Sequence, residues 1–411
     1  MSKTTRRVFV QNGLTAAVAT RLPVRSAEST TRPKNVLFIG VDDLCTQIGC
    51  YGANVKTPNL DALAARGVRF DAAYCQFPLC SPSRSSLMTG LSPDRTKVWD
   101  LQTHFREALP DVVTLGQLFR QNGYYSARVG KIYHASDPGG EGTDGLDDPV
   151  TWDWTFNPAG VDHFQEEAQV TNYTPKRGLG SSIAFHRSKA PDREITDAIG
   201  ASEVVRLLEE KRSQPFFIAY GLYRPHVPWI VPERFFEMYP LDSLTPVPVA
   251  PEELKMAPPA AYWTHPPNFG MDIEQQKHAL QGYHAATTFM DEQIGRVLTV
   301  LKASPHAENT LVVFWSDHGW QLGQHGQWMK QTLFEDATRV PLIMAGAGVP
   351  ARGKVCLSTV EHLNVYPTIA NLCGLNSIPG NLHGESMVPL LHDIRAPWSK
   401  PAISQVQRPG N

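Results

Sequence analysis

No excess of charge of one sign marks the sequence: 38 Lys and Arg stand against 40 Asp and Glu, a net charge of -2. That excludes a surface-wide electrostatic footprint for nucleic acid, so any anionic ligand must be held by a local pocket. Cysteine is scarce, and none of the six (Cys45, Cys50, Cys75, Cys80, Cys356, Cys373) stands in a Cys-x-x-Cys pair. A disulfide scaffold, a zinc ribbon and a thioredoxin-type motif are therefore not expected. No run reaches the roughly 18–20 consecutive apolar residues of a membrane span, so stable membrane insertion is not expected either. Internal repeats and low-complexity tracts are also missing. What is present, 42% hydrophobic and 19% charged residues over 411 positions, excludes disorder, collagen and simple coiled coils. The length fits two or three domain equivalents or one large α/β unit. With 31 Gly and 33 Pro, many turns and long loops are expected, and loops are where sites usually sit.

Residues 1–30 read as a twin-arginine export signal, in which Thr5-Arg6-Arg7-Val8-Phe9-Val10 precedes the small apolar stretch Gly13 to Thr20. The expected location is periplasmic or extracellular. Beyond it, four short apolar runs each end in polar residues. They are Val36 to Val41 before Asp42-Asp43, Tyr125 to Gly130 before Lys131, Phe216 to Tyr220 before Arg224 and His226, and Leu311 to Trp315 before Asp317-His318. Such runs suit strands buried on both faces. Helical patterns alternate with them: Thr57-Pro58 opens one that Gly67 stops, Thr114 to Gln121 is a second, and Ile195 to Lys211 and Glu274 to Leu301 are longer. The alternation predicts an α/β fold with a doubly wound, mostly parallel sheet flanked by helices. Ligands bind such sheets beyond the carboxyl ends of the strands, where all four polar clusters lie. Two stretches rich in Pro, Gly and aromatics, Asp137 to Pro191 and Thr245 to Phe269, read as insertions forming substrate walls.

The sharpest local feature is Cys80-Ser81-Pro82-Ser83-Arg84-Ser85-Ser86-Leu87-Met88-Thr89-Gly90. Pro82 fits a first helical position and Ser81 a cap, which puts Cys80 at a helix N-terminus, where free N–H groups and the dipole favour an anion. Arg84 lies one turn on and can reach back toward Cys80. A buried structural cysteine before an ordinary helix is the plain alternative.

These residues resemble the signature of type I sulfatases, whose cysteine is oxidised to formylglycine: Cys80, Pro82 and Arg84, followed by Leu87, Thr89 and Gly90. The resemblance extends through Asp42-Asp43, Gly49-Cys50-Tyr51-Gly52, Thr57-Pro58-Asn59-Leu60-Asp61, Lys131 with His134, Arg224-Pro225-His226-Val227-Pro228, Ser316-Asp317-His318-Gly319 and Tyr366-Pro367-Thr368. Within that family the chain is most similar to the iduronate 2-sulfatase branch. The resemblance implies an alkaline-phosphatase-like fold and a catalytic domain over residues 31–400. Residues 401–411 would begin a small C-terminal subdomain that continues well beyond this length in relatives.

The same resemblance implies a sulfuric ester hydrolase acting on sulfated sugars, uronate-2-sulfate-like, through a covalent sulfate intermediate on formylglycine derived from Cys80. A formylglycine-generating enzyme would be a maturation partner and a sulfated carbohydrate the substrate. Asp42, Asp43 and Asp317 offer hard oxygens that suit calcium or magnesium better than zinc; resemblance favours one calcium ion, with Cys80, once converted to an oxygen ligand, and His318 completing the set. A hydrogen bond to the sulfate is the other role open to His318. Lys131, Lys330 and Arg84 would stabilise charge on the sulfate oxygens, His226 or Lys330 would protonate the leaving oxygen, and His134 would take the proton that lets sulfate depart. Trp152, Trp154, Tyr262 and Trp263 are candidates to stack on a sugar ring, while His278, His284 and His362 read as structural. Two alternatives stand beside this reading: a phosphonate or phosphate ester hydrolase of the same superfamily, and an inactive, truncated glycan-binding homologue with Cys80 unmodified.

Overall fold

The computed structural model describes residues 35–408, so the predicted leader, residues 1–30, lies outside the described residues. Eight strands form the main sheet: β1 (Asn35–Val41), β2 (Gly67–Phe70), β3 (Tyr125–Gly130), β4 (Trp154–Phe156), β5 (Phe216–Gly221), β6 (Thr310–Ser316), β7 (Leu342–Gly346) and β8 (Lys354–Cys356). Their order across the sheet is β8-β2-β7-β6-β1-β5-β3-β4. Only β7 runs antiparallel to its neighbours in this sheet. All four predicted strands are present, and they sit side by side as β6-β1-β5-β3.

The central strands are apolar throughout because helices cover both faces. Within β1, Val36 and Phe38 point into one core, while Leu37, Ile39 and Val41 point into the other, the period-2 alternation of a strand. The first core is closed by α2 (Cys80–Thr89), α3 (Leu115–Gln121) and α6 (Val365–Cys373), through residues such as Leu87, Phe119 and Ile369. The second is closed by α1 (Pro58–Ala64), α4 (Thr196–Glu209) and α5 (Ile273–Ala303), through Leu60, Val204 and Ile294. Capping boxes open α3 at Thr114 and α5 at Asp272, satisfying N–H groups that a helix start leaves free. Gly40, in mid-strand, makes room for the Trp315 ring, which a Cβ there would meet at 2.5 Å.

Two sequence expectations shift. Helix α2 begins at Cys80 itself: Leu79, extended at φ -156°, is the cap residue, and its carbonyl accepts the Ser83 N–H at 3.1 Å. Ser81 and Pro82 are therefore inside the first turn instead of at the cap and first position. The first insertion is more than a wall of loop, because Thr171–Asn172, Ala184–Ser188 and Trp229–Pro232 form a small sheet. It rests on a third core built around Trp229, Tyr283 and Trp320. Residues 401–408 carry no regular secondary structure; Gln405 N–H donates to the Gln76 carbonyl at 2.9 Å. Among the described residues no helix is long and apolar enough to cross a membrane.

Candidate active site

Four adjacent parallel strands end at one edge, and each delivers functional groups there. After β1 come Asp42 and Asp43, after β6 Asp317 and His318, after β5 Arg224 and His226, and after β3 Lys131 and His134. Gly130, at φ +72°, turns the end of β3, a conformation that glycine adopts without strain. Helix α2 points its first residue, Cys80, at the same edge, and all ten of its residues are buried.

Arg84 ties these pieces together. Its Nε donates to Asp317 Oδ2 at 2.8 Å, and its terminal nitrogens donate to the carbonyls of Lys131 (2.5 Å), Ile132 (3.1 Å) and Val41 (3.4 Å). One guanidinium thus spans the ends of three strands from the helix that carries Cys80. The side chain is fully buried, with these donors committed to protein acceptors. In this arrangement the guanidinium braces the strand ends, and Arg84 is not among the residues that line the cavity over Cys80.

Asp42, Asp43, Cys80 and His318 each bring one potential ligand atom within 4.8 Å of the others. Lys131 Nζ pairs with Asp42 Oδ2, and Lys330 Nζ donates to Asp43 Oδ1 at 2.7 Å and to Cys80 Sγ at 3.2 Å. His318 Nδ1 donates to the Gly319 carbonyl at 3.0 Å, so its unprotonated Nε2 faces Cys80 Sγ at 3.3 Å. That tautomer suits a metal ligand and leaves no Nε2 proton for a bond to sulfate. Asp317 borders the set, its Oδ2 lying 3.6 Å from His318 Nε2 while Oδ1 accepts the N–H groups of Asp43 (3.1 Å) and His318 (2.9 Å).

The electrostatics of the cluster fit a bound cation. Burial works to raise the Asp42 pKa, but Lys131 leads a group of cations that outweighs it and holds the carboxyl well below the usual range. Burial, with Asp42 and Asp317 beside it, pushes Asp43 well above that range despite Lys330. Burial also raises Asp317 to about 6 against the pull of Arg84. Asp43 Oδ2 has no hydrogen-bond partner, with His226 Nε2 3.6 Å away, and Asp42 Oδ2 meets the Lys131 ammonium, so the two carboxylates leave acceptor capacity that a cation between them would use. Cys80 does not fit a hard cation as a thiol: burial, then Asp42, pushes its pKa well up, and a protonated sulfur is a poor ligand and a poor nucleophile.

A cavity of about 580 Å³ opens above Cys80, with His134, His226 and Lys330 in its walls. Both insertions contribute, the first through Asp137 to Gly139, Glu167 and Arg177 to Ser181, the second through Trp263. Burial lowers the His134 pKa well below its ordinary value, and neither of its ring nitrogens has a partner. Burial and Lys330 do the same to His226, whose Nδ1 donates to the Val227 carbonyl at 2.6 Å. Of the four aromatics, only Trp263 lines the cavity; Trp152 and Tyr262 are buried elsewhere, and Trp154 is on the edge strand β4. His284 and His362 are buried outside the cavity, and His278 is half-buried against Phe185. A larger cavity, about 780 Å³, lies at the opposite edge of the sheet between Leu63, Arg66, Leu298 and Gly346, away from every group named above.

Sequence reasoning missed the carboxylates behind His226. Asp137 Oδ2 lies 3.7 Å from His226 Nδ1 and 3.4 Å from Arg224, which also meets Asp162 at 3.1 Å and Glu141 at 3.6 Å. Asp197 accepts the N–H groups of Tyr223 and Arg224, each at 2.9 Å. These acids are scattered singly along the sequence, and only the fold gathers them.

The sulfatase family profile matches residues 34–375. The chain is 36% identical over 365 residues to a sulfatase of Formosa agariphila, covering 84% of this chain and 70% of that protein. It is 33% identical over 404 residues to the iduronate 2-sulfatase of Homo sapiens, covering 86% and 71%. A solved structure described as a complex with its substrate D-glucosamine-2-N,6-O-disulfate superposes with a TM-score of 0.70 at 22% identity, covering 93% of this chain and 85% of that one.

Proposed function

This chain belongs to the sulfatase family and is a sulfuric ester hydrolase, and from that premise we propose that it cleaves O-sulfate esters of uronate-type sugars after conversion of Cys80 to formylglycine. Similarity to iduronate 2-sulfatase supports the sugar class. The observation that carries the reading is the buried Cys80 at the start of α2, in the wall of a cavity and ringed by Asp42, Asp43, His318 and Lys330. Formylglycine there would supply an oxygen nucleophile, and a calcium ion held by Asp42, Asp43, His318 and Asp317 would supply positive charge facing the sulfate.

The remaining work falls to the chain's own groups. Lys330 lines the cavity beside Cys80, Lys131 is held against Asp42 next to it, and α2 starts at Cys80, together an oxyanion-binding surface. Arg84 is a positioning residue that holds Asp317 and three strand ends in register with α2. His134, neutral with free ring nitrogens, accepts a proton from an oxygen at position 80. Lys330 carries a proton at rest and can donate it to the departing oxygen; His226 holds its resting proton on Nδ1, donated to the Val227 carbonyl, and must take up a second proton before Nε2 can do so. Export to the periplasm or beyond is part of the same proposal and rests on the twin-arginine pattern Thr5 to Val10.

The deciding experiment is mass spectrometry of the peptide holding Cys80, from protein made in its own host, paired with turnover of a 2-sulfated uronate disaccharide. The expected result is the mass loss of thiol-to-aldehyde conversion together with sulfate release. An unmodified thiol in fully active protein would overturn the assignment of the nucleophile. Faster turnover of a phosphonate monoester than of any sulfate would overturn the assignment of the substrate.

A further inference from the structure

Arg177 lies in the wall of the cavity that holds Cys80, His134, His226 and Lys330. Its setting is built by both insertions. Its N–H donates to the Thr174 carbonyl at 3.0 Å, its Nε donates to the Ser181 carbonyl at 2.6 Å, and its guanidinium carbon sits 5.0 Å from the centre of the Phe269 ring. The Nε bond and the aromatic face fix the plane of the group. The two terminal nitrogens have no hydrogen bond to protein, and no carboxylate lies within 4.0 Å, among the described residues.

This distinguishes Arg177 from the basic groups around Cys80. Lys131 is paired with Asp42 and Lys330 with Asp43. Of the two acids in the cavity wall, Glu167 is paired with His163 and Asp137 with Arg224. Burial alone bears on the Arg177 ionisation, pulling it down with no neighbouring charge to offset it. A half-buried cation without a counter-ion is uphill in free energy, and an anionic ligand group removes that cost. The turn that carries it also packs beside His226, since a Cβ at Gly180 would stand 4.0 Å from the His226 ring. Arg177 and His226 thus line one cavity, with the 177–181 turn between them.

We propose that Arg177 is the subsite for a second anion on the substrate, a carboxylate or a further sulfate carried by the sugar whose ester is cleaved. The shared chemistry is a pair of adjacent oxyanion oxygens that accept two parallel N–H bonds from one guanidinium. The inference rests on the hydrolase reading above and makes the enzyme selective for polyanionic sugar esters.

The test uses the full chain and three esters: a 2-sulfated uronate disaccharide, a doubly sulfated glucosamine, and 4-nitrophenyl sulfate, which carries no second anion. Arg177→Met is expected to lower the ratio of kcat/KM for a doubly anionic ester over 4-nitrophenyl sulfate by roughly 10- to 100-fold, mostly through KM, with Arg177→Lys recovering part of it. The ester that loses more identifies carboxylate or sulfate as the group bound. A ratio that stays within about twofold of wild type for both doubly anionic esters overturns the proposal. A separate arm measures calorimetric binding of the same esters to Cys80→Ala with and without Arg177→Met. If wild type hydrolyses none of the esters, the hydrolase reading fails, and this arm still decides: weaker binding of doubly anionic esters supports the Arg177 subsite, and equal binding overturns it.

Discussion

Replacing Arg84 by methionine keeps an unbranched chain of similar reach and removes the guanidinium from a site with no solvent. Asp317 then loses its 2.8 Å partner, and the carbonyls of Lys131, Ile132 and Val41 lose their donor. Breaking a buried ion pair by deleting one partner costs about 3–5 kcal/mol. Each carbonyl left dry adds about 1–3 kcal/mol, although groups that share one donor do not add independently. A total of about 5 kcal/mol is a reasonable magnitude. With an unfolding entropy of about 2.1 cal/mol/K per residue over roughly 370 residues, that loss lowers Tm by about 6 °C. Calorimetry of both proteins at one scan rate measures it, and steady-state kinetics on the same samples separates bracing from contact. Arg84→Lys should recover only part of the loss, because a single ammonium cannot span three carbonyls and a carboxylate. A Tm shift under about 1 °C accompanied by a raised KM would refute the reasoning and place the guanidinium on the sulfate.

Cys80→Ala should abolish turnover and retain the wild-type circular dichroism spectrum, since the substitution removes a single buried sulfur; turnover above about a hundredth of wild type would dismiss position 80 as nucleophile. Chelation with EGTA should lower both Tm and activity, and added calcium should restore them, because the crowded Asp42, Asp43 and Asp317 carboxylates lose their counter-charge; a Tm indifferent to calcium would remove the ion from the site. Burial lowers His284 from 6.5 to about 4. The unfolded chain therefore takes up the extra proton first, so this stability is fully present above pH 6.5 and is lost as pH falls through 4, amounting to about 3 kcal/mol. His284→Phe should flatten that acid limb in a Tm-against-pH series, and an unchanged limb would show that other groups govern it.

Much of this molecule is legible without coordinates. Apolar runs ending in Asp42-Asp43, Lys131, His226 and Asp317-His318 announce buried parallel strands with chemistry at one edge, because a strand covered on both faces must be apolar along its length. The run from Cys80 to Gly90 announces a helix with Cys80 at its N-terminal end. These are local signals, carried by periodicity and by residue types that few other roles explain. What local pattern does not carry is which neighbours the tertiary structure supplies. The bond from Asp43 to Asp317 joins residues 274 positions apart, and it exists because β6 pairs with β1. The same pairing of distant strands makes Arg84 a brace, since the carbonyls it meets arrive only when three strand ends align. Trp152, Trp154 and Tyr262 read as well as Trp263 for stacking until packing buries two and places one at an edge. Arg177 looks like an ordinary loop arginine until Phe269, ninety-two residues on, supplies the ring that holds it. Composition and period therefore determined the layers and the edge at which chemistry occurs, while long-range packing decided which groups meet there and what each can do.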